Sequence, residues 1–251
     1  PDIFIQISVP NEFCLDLRTG KPMQSKPGKF NIGITAGIET TLVPAEFLQG
    51  CNRMDLVIAT SEHTKDVIIN TAYDRVNKQT NQKEGELKCT TPVEVLFEGL
   101  DLDKYHKTDK IDESVITELK SIKESFCFLY VGHWMKGALG HDRKDVGMMI
   151  KTFCETFKNV ATHNKPGLVL KTSGAGFSII DRDEQLRKIH AICEPYGDKA
   201  PNVYLLHGDL SDYEMNSLYN HPKMKVMVSF TKGEGFGRPL LEYSITGKPV
   251  M

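Results

Sequence analysis

The chain has 251 residues, 40% hydrophobic and 25% charged, enough apolar content to bury two modest cores or one large one. Its formal net charge of -2, from 31 Lys+Arg against 33 Asp+Glu, gives no electrostatic reason to expect nucleic acid or an anionic membrane as the main partner. No stretch approaches the ~20 apolar residues of a membrane span, and the opening PDIFIQISVP lacks the basic segment and long apolar run of a signal peptide.

In chain order, short β-branched or apolar runs predict strands at 3–9, 31–35, 56–60, 93–97, 126–131, 168–172, 203–206 and 226–230. Many are apolar on both faces, as parallel strands covered on both sides must be. Between them, helical patterns fall at 44–54, 61–73, 114–123, 146–157, 184–193, 211–219 and 239–245. Ser61 is a good N-cap, and Ser211 with Glu214 makes a capping box. This alternation predicts doubly wound α/β layers. The polar stretch NKQTNQKEGE (77–86) reads as an exposed loop. After it, VEVLFEGLDLDKYHKTDK runs from a strand into charged sequence, which places a boundary near residue 100, with one domain over 1–100 and a second over 101–251.

The six cysteines, Cys14, Cys51, Cys89, Cys127, Cys154 and Cys193, include no CxxC pair, so neither a zinc ribbon nor a thioredoxin-like site is supported. The first four recur at nearly even spacing, but their flanks share nothing and no repeat is present. They read as free buried thiols in a reducing compartment.

The chemistry concentrates near the C-terminal end, in KGEGFGRPLLEYSITGKPVM. A buried strand, a glycine-rich turn and a helix opening at Pro239 together form an anion site, because bare backbone N–H groups can face a phosphate with no side chain in the way. A tight turn needing positive φ accounts for the glycines equally well. Gly233-Glu-Gly235-Phe-Gly237 is not a dinucleotide fingerprint, and no P-loop is present. The glutamates tip the balance. Glu242 lies in a mostly apolar helical turn, where a carboxylate is costly without a partner, and Glu234 lies on the loop at the same mouth. A carboxylate can accept from two vicinal hydroxyls, so the pair suits a ligand with sugar rings on either side of a phosphate.

Glu234-Gly-Phe-Gly-Arg-Pro-Leu-Leu-Glu242 followed by Gly247-Lys-Pro-Val resembles the E-x7-E region of retaining family-4 glycosyltransferases, the glycosyl transferases group 1, which have the GT-B fold. Residues 202–219 are similar to the strand, loop and helix that precede this region, Tyr130-Val-Gly132 with Arg143-Lys144 to the opening of the C-terminal domain, and 93–101 to the strand entering the hinge. The resemblance implies an α/β fold of GT-B type, two Rossmann-like parallel α/β/α domains with the N-terminal one incomplete, cut at both ends. It implies that Glu242 binds the ribose hydroxyls of a nucleotide-diphosphate sugar and that Glu234 contacts the donor sugar. It also implies that the amides of Gly235, Phe236 and Gly237 lie along the sugar and diphosphate, with Lys144 on the diphosphate. A cation is what the leaving group needs as negative charge grows there.

The sequence departs from the family in one place. His133 follows Gly132 where an arginine is usual, leaving Arg143 or Lys136 to supply that cation. His133, His141 and Asp142 match no metal-ligand spacing. Asp101-Leu-Asp103 and Asp181-Arg-Asp183 spell DxD, but they lie in the hinge and at a helix start, where acidic residues are favoured anyway. The resemblance implies no catalytic metal and no cofactor beyond the nucleotide sugar. Asn11, Glu12 and Glu39 sit in loops where a glycan, lipid or other hydroxyl acceptor could be met. A cytoplasmic enzyme, with room for peripheral membrane contact, is expected. A catalytically idle GT-B nucleotide-binding protein, and a GT-B epimerase or phosphorylase, share the same pocket and stay open on the sequence.

Overall fold

The computed structural model describes every residue except Leu17, Ile38, Glu39, Lys78, Met135, Lys136, Ala138 and Ala175. The chain divides into two compact units, Pro1–Gly99 with Gly233–Phe236, and Leu100–Lys232 with Gly237–Met251. Among the described residues, no helix is long and apolar enough to cross a membrane.

The first unit holds β1 (Ile3–Ile7), the short pair β2 (Leu15–Asp16) and β3 (Lys21–Pro22), β4 (Phe30–Thr35), α1 (Ala45–Cys51), β5 (Leu56–Ala59), α2 (Glu62–Asn70), β6 (Ala72–Val76), β7 (Lys83–Lys88) and β8 (Val93–Val95). Its main sheet is parallel with order β1-β4-β5-β8. The core gathers Phe13, Leu48, Cys51, Val57, Ile68 and Val93. Gly33 on β4 leaves room for the Phe13 ring, because a Cβ there would lie 2.5 Å from that ring. On the edge strand β1, Ile3, Ile5 and Ile7 are exposed on one face. Ser61 caps α2 by accepting from the Thr64 N–H.

Two sequence expectations are corrected here. The helix over 61–73 ends at Asn70, since Thr71 adopts extended geometry and the chain turns into β6. The polar stretch 77–86 is the turn and second arm of an antiparallel β6–β7 hairpin. The Asn77 side chain accepts from the Gln79 and Thr80 N–H groups at the tip, an Asx turn.

Asp55 pins the β4–β5 junction. Its carboxylate accepts from the Lys26 ammonium at 2.5 Å and from the Asn31 backbone and amide N–H groups at 2.8 and 2.9 Å. Lys26 first, then Asn31, hold the carboxyl down to about 2 from an ordinary value of 3.8. A depressed folded value means this carboxylate stabilises the fold above the unfolded value, and that the contribution is lost as pH falls toward about 2. In Asp55→Asn, urea midpoints followed across that interval should show a flatter acid limb than in the parent. An unchanged slope would remove Asp55 from the acid response.

The second unit contains α3 (Glu113–Glu118), β9 (Cys127–His133), α4 (Val146–Phe157), β10 (Gly167–Ser173), α5 (Ile179–Cys193), β11 (Val203–Leu206), α6 (Asp212–Asn220), β12 (Met224–Met227) and α7 (Arg238–Ser244). Where the sequence predicts one helix over 114–123, α3 stops at Glu118 and passes into a 3-10 turn, Leu119–Ser121. The parallel sheet has order β11-β10-β9-β12. Alternate residues of β9 and β10 serve opposite cores: Cys127, Leu129 and Val169 on the side of α3 and α6, and Tyr130, Leu168 and Leu170 on the side of α4 and α5. Both faces of β10 are buried along its whole length, which is why such strands read as continuous apolar runs. Ser211 and Glu214 form the full capping box at the start of α6. Val250 pairs in parallel with Met227, alongside β12.

Candidate functional site

The strand order of the second unit sets where a ligand can sit. From β9 the chain moves to β10 and β11 on one side, then returns to place β12 on the other. At such a reversal the connections leave in opposite directions, and a crevice opens outside the carboxyl ends of the two strands that meet there, β9 and β12. β9 ends in Gly132-His133, and β12 runs out toward Lys232. The Arg143-Lys144 segment and the start of the glycine loop are therefore attached to the two strands that bound the crevice.

Lys232 ties these segments together. Its N–H donates to the Arg143 carbonyl at 2.9 Å. Its ammonium donates to the carbonyls of Gly140 at 2.5 Å and Asp142 at 3.3 Å, and lies 3.7 Å from the Asp145 carboxylate. Asp142 is buried, and its Oδ1 accepts from the Lys144 N–H at 3.1 Å, shaping the turn that precedes α4. Arg143 is exposed and Lys144 half-buried. Nothing local marks Lys232 for this role, since it acts on residues about ninety positions away. His133 is exposed, with Nδ1 3.3 Å from the Ser173 hydroxyl at the end of β10.

The glycine loop ends at Gly237, in left-handed geometry with φ 76° and ψ 38° at the N-cap of α7, where a side chain would be strained. Pro239 occupies the first turn of α7, where its missing N–H is no loss. Glu234, Gly235 and Phe236 group with the first unit and are each half-buried. There the Phe236 ring meets Phe97 edge-on at 5.2 Å.

Glu242 is 5% exposed, and both its oxygens are engaged. Oε1 accepts from Arg238 Nε at 2.7 Å and Oε2 from the Tyr219 hydroxyl at 2.8 Å. Burial first, then the carboxylate, push the Tyr219 phenol well above its ordinary range, and the same carboxylate raises Arg238. The Arg238 guanidinium lies over the Tyr105 ring at 5.9 Å, and Tyr105 donates to Asp212 at 2.8 Å. This chain of contacts answers the sequence question of what a carboxylate does in an apolar turn. Arg238 is an i,i+4 partner that the sequence could have shown; Tyr219 is a tertiary partner that it could not.

Asp181, from the second DxD, binds neighbouring loops. Its carboxylate accepts from the Gly174 N–H at 3.1 Å and lies 2.8 Å from His207 Nε2. The connection after β10 is thereby joined to the one after β11. Asp101, from the first DxD, accepts from the Asp103 N–H at 3.1 Å within a turn. Lys171, within β10, donates to the Gly208 carbonyl at 2.5 Å, and burial lowers its ammonium below the ordinary value. Of the remaining candidates, the Asn11 carbonyl accepts from Arg53 at 2.7 Å, while the Glu12 carbonyl accepts from the Gln6 amide and its carboxylate from the Ser8 hydroxyl. Glu39 and Lys136 lie outside the described residues.

No protein-family model matches the chain, and no curated protein matches it in sequence. Solved structures do match it in fold. An E. coli trehalose-6-phosphate structure bound with UDP-2-fluoro glucose is 14% identical with a TM-score of 0.56, over 86% of this chain and 50% of that one. Anabaena HepE in complex with UDP-glucose is 16% identical with a TM-score of 0.54, over 88% and 52%. A UDP-forming α,α-trehalose-phosphate synthase from Burkholderia xenovorans is 11% identical with a TM-score of 0.58, over 86% and 51%. The chain spans about half the length of these structures. At such identities the likeness is one of fold. The chain is built of Rossmann-like parallel α/β units of the GT-B type.

Proposed function

We propose that this chain belongs to a glycosyltransferase that moves a sugar from a nucleotide-diphosphate sugar to a hydroxyl of a glycan, lipid or other acceptor, with retention of anomeric configuration. The observation that carries the reading is the attachment of the glycine loop and the Arg143-Lys144 segment to β12 and β9, the strands on either side of the reversal, with Lys232 joining them. In the reaction, the bond between the anomeric carbon and the β-phosphate oxygen breaks and its electron pair stays on the diphosphate, while the acceptor hydroxyl oxygen bonds to the anomeric carbon and its proton passes to the diphosphate. Lys144, supported by Arg143 and the amides of Gly235, Phe236 and Gly237, stabilises that charge where a metal ion would otherwise be needed. Glu234 orients the departing sugar. Glu242 holds the ribose: its two oxygens offer about four acceptor positions in all, and Tyr219 and Arg238 take one on each oxygen.

UDP-glucose is the first donor to test, because the E. coli and Anabaena structures of this fold hold UDP-sugars. Calorimetric titration with UDP, UDP-glucose, GDP and ADP should find one nucleotide class that binds. Lys144→Ala should weaken that binding about tenfold, the equivalent of about 1.4 kcal/mol. If no nucleotide diphosphate binds, the reading fails. If binding is indifferent to Lys144, the placement of the diphosphate fails.

A further inference from the structure

Away from that crevice, the C-terminal parts of α4 and α5 bring two thiols together. Cys154, fully buried on α4, and Cys193, half-buried at the end of α5, have sulfurs 3.9 Å apart. Both are free, and closure to a disulfide bond of ~2.05 Å needs each sulfur to move by only about 1 Å, a side-chain adjustment. Among the described residues, the other cysteines have contacts of different character: Cys89 meets the Thr91 carbonyl at 3.5 Å and hydrogen-bonds with the fully buried Cys51 thiol. The Cys14 sulfur meets the Met54 thioether at 3.5 Å, and Cys127 meets a carbonyl at 3.7 Å, so neither has a thiol beside it in those contacts.

Access to the pair comes through Cys193, which is only half-buried, and a cavity lies beside it. This cavity of about 630 Å³ lies between α4 and α5, lined by the sequence neighbours of both cysteines: Glu155 beside Cys154, and Ile192 and Pro195 flanking Cys193. Lys151, Lys158 and Lys199 also line it. Lys158 pairs with Glu155 at 2.5 Å, which leaves a net positive wall of ammonium groups facing one carboxylate. A small disulfide carrying carboxylates fits that charge.

We propose that Cys154 and Cys193 form a reversible disulfide by exchange with a small, carboxylate-bearing disulfide such as oxidised glutathione. The Cys193 thiolate attacks one sulfur of the incoming disulfide, forming a mixed disulfide and releasing one glutathione thiolate. Cys154, after losing its proton, then attacks the Cys193 sulfur and releases the second. Two protein thiols are oxidised, one external disulfide is reduced to two thiols, and the two protons lost by the cysteines end on the released glutathione. The order follows from the pair itself. Cys193 is half-exposed and Cys154 fully buried, so an incoming disulfide reaches Cys193 first and the buried sulfur resolves; the hydrogen bond between the thiols, which lowers Cys193, acts in the same direction.

The test is thiol mapping of the folded wild-type chain. The protein is incubated with oxidised glutathione, free thiols are alkylated, and peptides are read by mass spectrometry. The expected result is a peptide pair joined through Cys154 and Cys193, lighter by two hydrogens and restored by dithiothreitol. In Cys154→Ala the reaction should stop at a glutathione adduct on Cys193. An unreactive Cys193 in the folded wild type overturns the proposal. So does an adduct that persists on Cys193 with Cys154 present, or a cross-link confined to Cys51 and Cys89. The wild-type map decides whether or not the variant folds, and it is independent of nucleotide binding.

Discussion

Replacing Glu242 with alanine should destabilise the chain by about 2–3 kcal/mol and weaken nucleotide-diphosphate binding on the order of a hundredfold. The stability loss arises at Tyr219. That side chain is fully buried, and its hydroxyl donates to Glu242, so truncation strands a polar group where water cannot replace the partner. Arg238 adds little to this cost, because its side chain is 58% exposed and water can take over. The binding loss rests on the proposed ribose contacts, two hydrogen bonds to a charged acceptor. Glu242→Gln separates the two effects. The amide oxygen can still accept from Tyr219, which should hold the stability loss to about 1 kcal/mol. The lost charge and the NH₂ should still weaken nucleotide binding about tenfold. Urea denaturation and calorimetry on both variants give the answer. Full nucleotide affinity in Glu242→Gln would leave the residue a structural partner of Tyr219 and nothing more.

Gly50→Ala should cost about 3 kcal/mol, although alanine is the better helix former by about 1 kcal/mol. Gly50 lies in the last turn of α1, and a Cβ there would fall 1.7 Å from the Pro10 carbonyl oxygen and 2.5 Å from its carbon. Both atoms belong to backbone, in the 3-10 turn Pro10–Glu12. That turn cannot yield without loss, since Arg53 holds it through the carbonyls of Asn11 and Phe13 at 2.7 and 2.5 Å. Either the helix leaves the core around Leu48 and Cys51, or the turn gives up its arginine bonds. A urea midpoint within about 0.5 kcal/mol of the parent would show that the contact between α1 and the turn is slack.

Much of the architecture could be read from residue order. The strand at 203–206 and the helix at 146–157 have the predicted bounds, because the first is apolar throughout and the second presents Val146, Met149, Ile150, Phe153 and Cys154 to one side. The Ser61 cap and the Ser211–Glu214 box are local devices and were legible for that reason. The β6–β7 hairpin was not. Its arms are largely exposed and polar, so neither carries the apolar signature of a buried strand, and Ile68-Ile69 before it prolongs the helical pattern. In the candidate site, the glycine loop and Glu242 stand out by composition, whereas Arg143-Lys144 reads alone as a solvated pair and enters the site only through the family resemblance. Their supports stand out in neither way. Tyr219 reaches Glu242 from another helix, Asp181 reaches His207 across two connections, and Lys232 clasps a turn far back in the chain. Such partners are chosen by tertiary approach, and nothing in the local sequence of either member marks them.

The Lys232 clasp has a mechanical consequence. One ammonium and one amide bridge the turn before α4 to the stretch leaving β12, so the two segments cannot shift independently without breaking several bonds at once. A displacement imposed on either is handed to the other through a single residue. The cationic turn and the glycines that follow Lys232 thus share a common anchor, and whatever moves that anchor retunes both together.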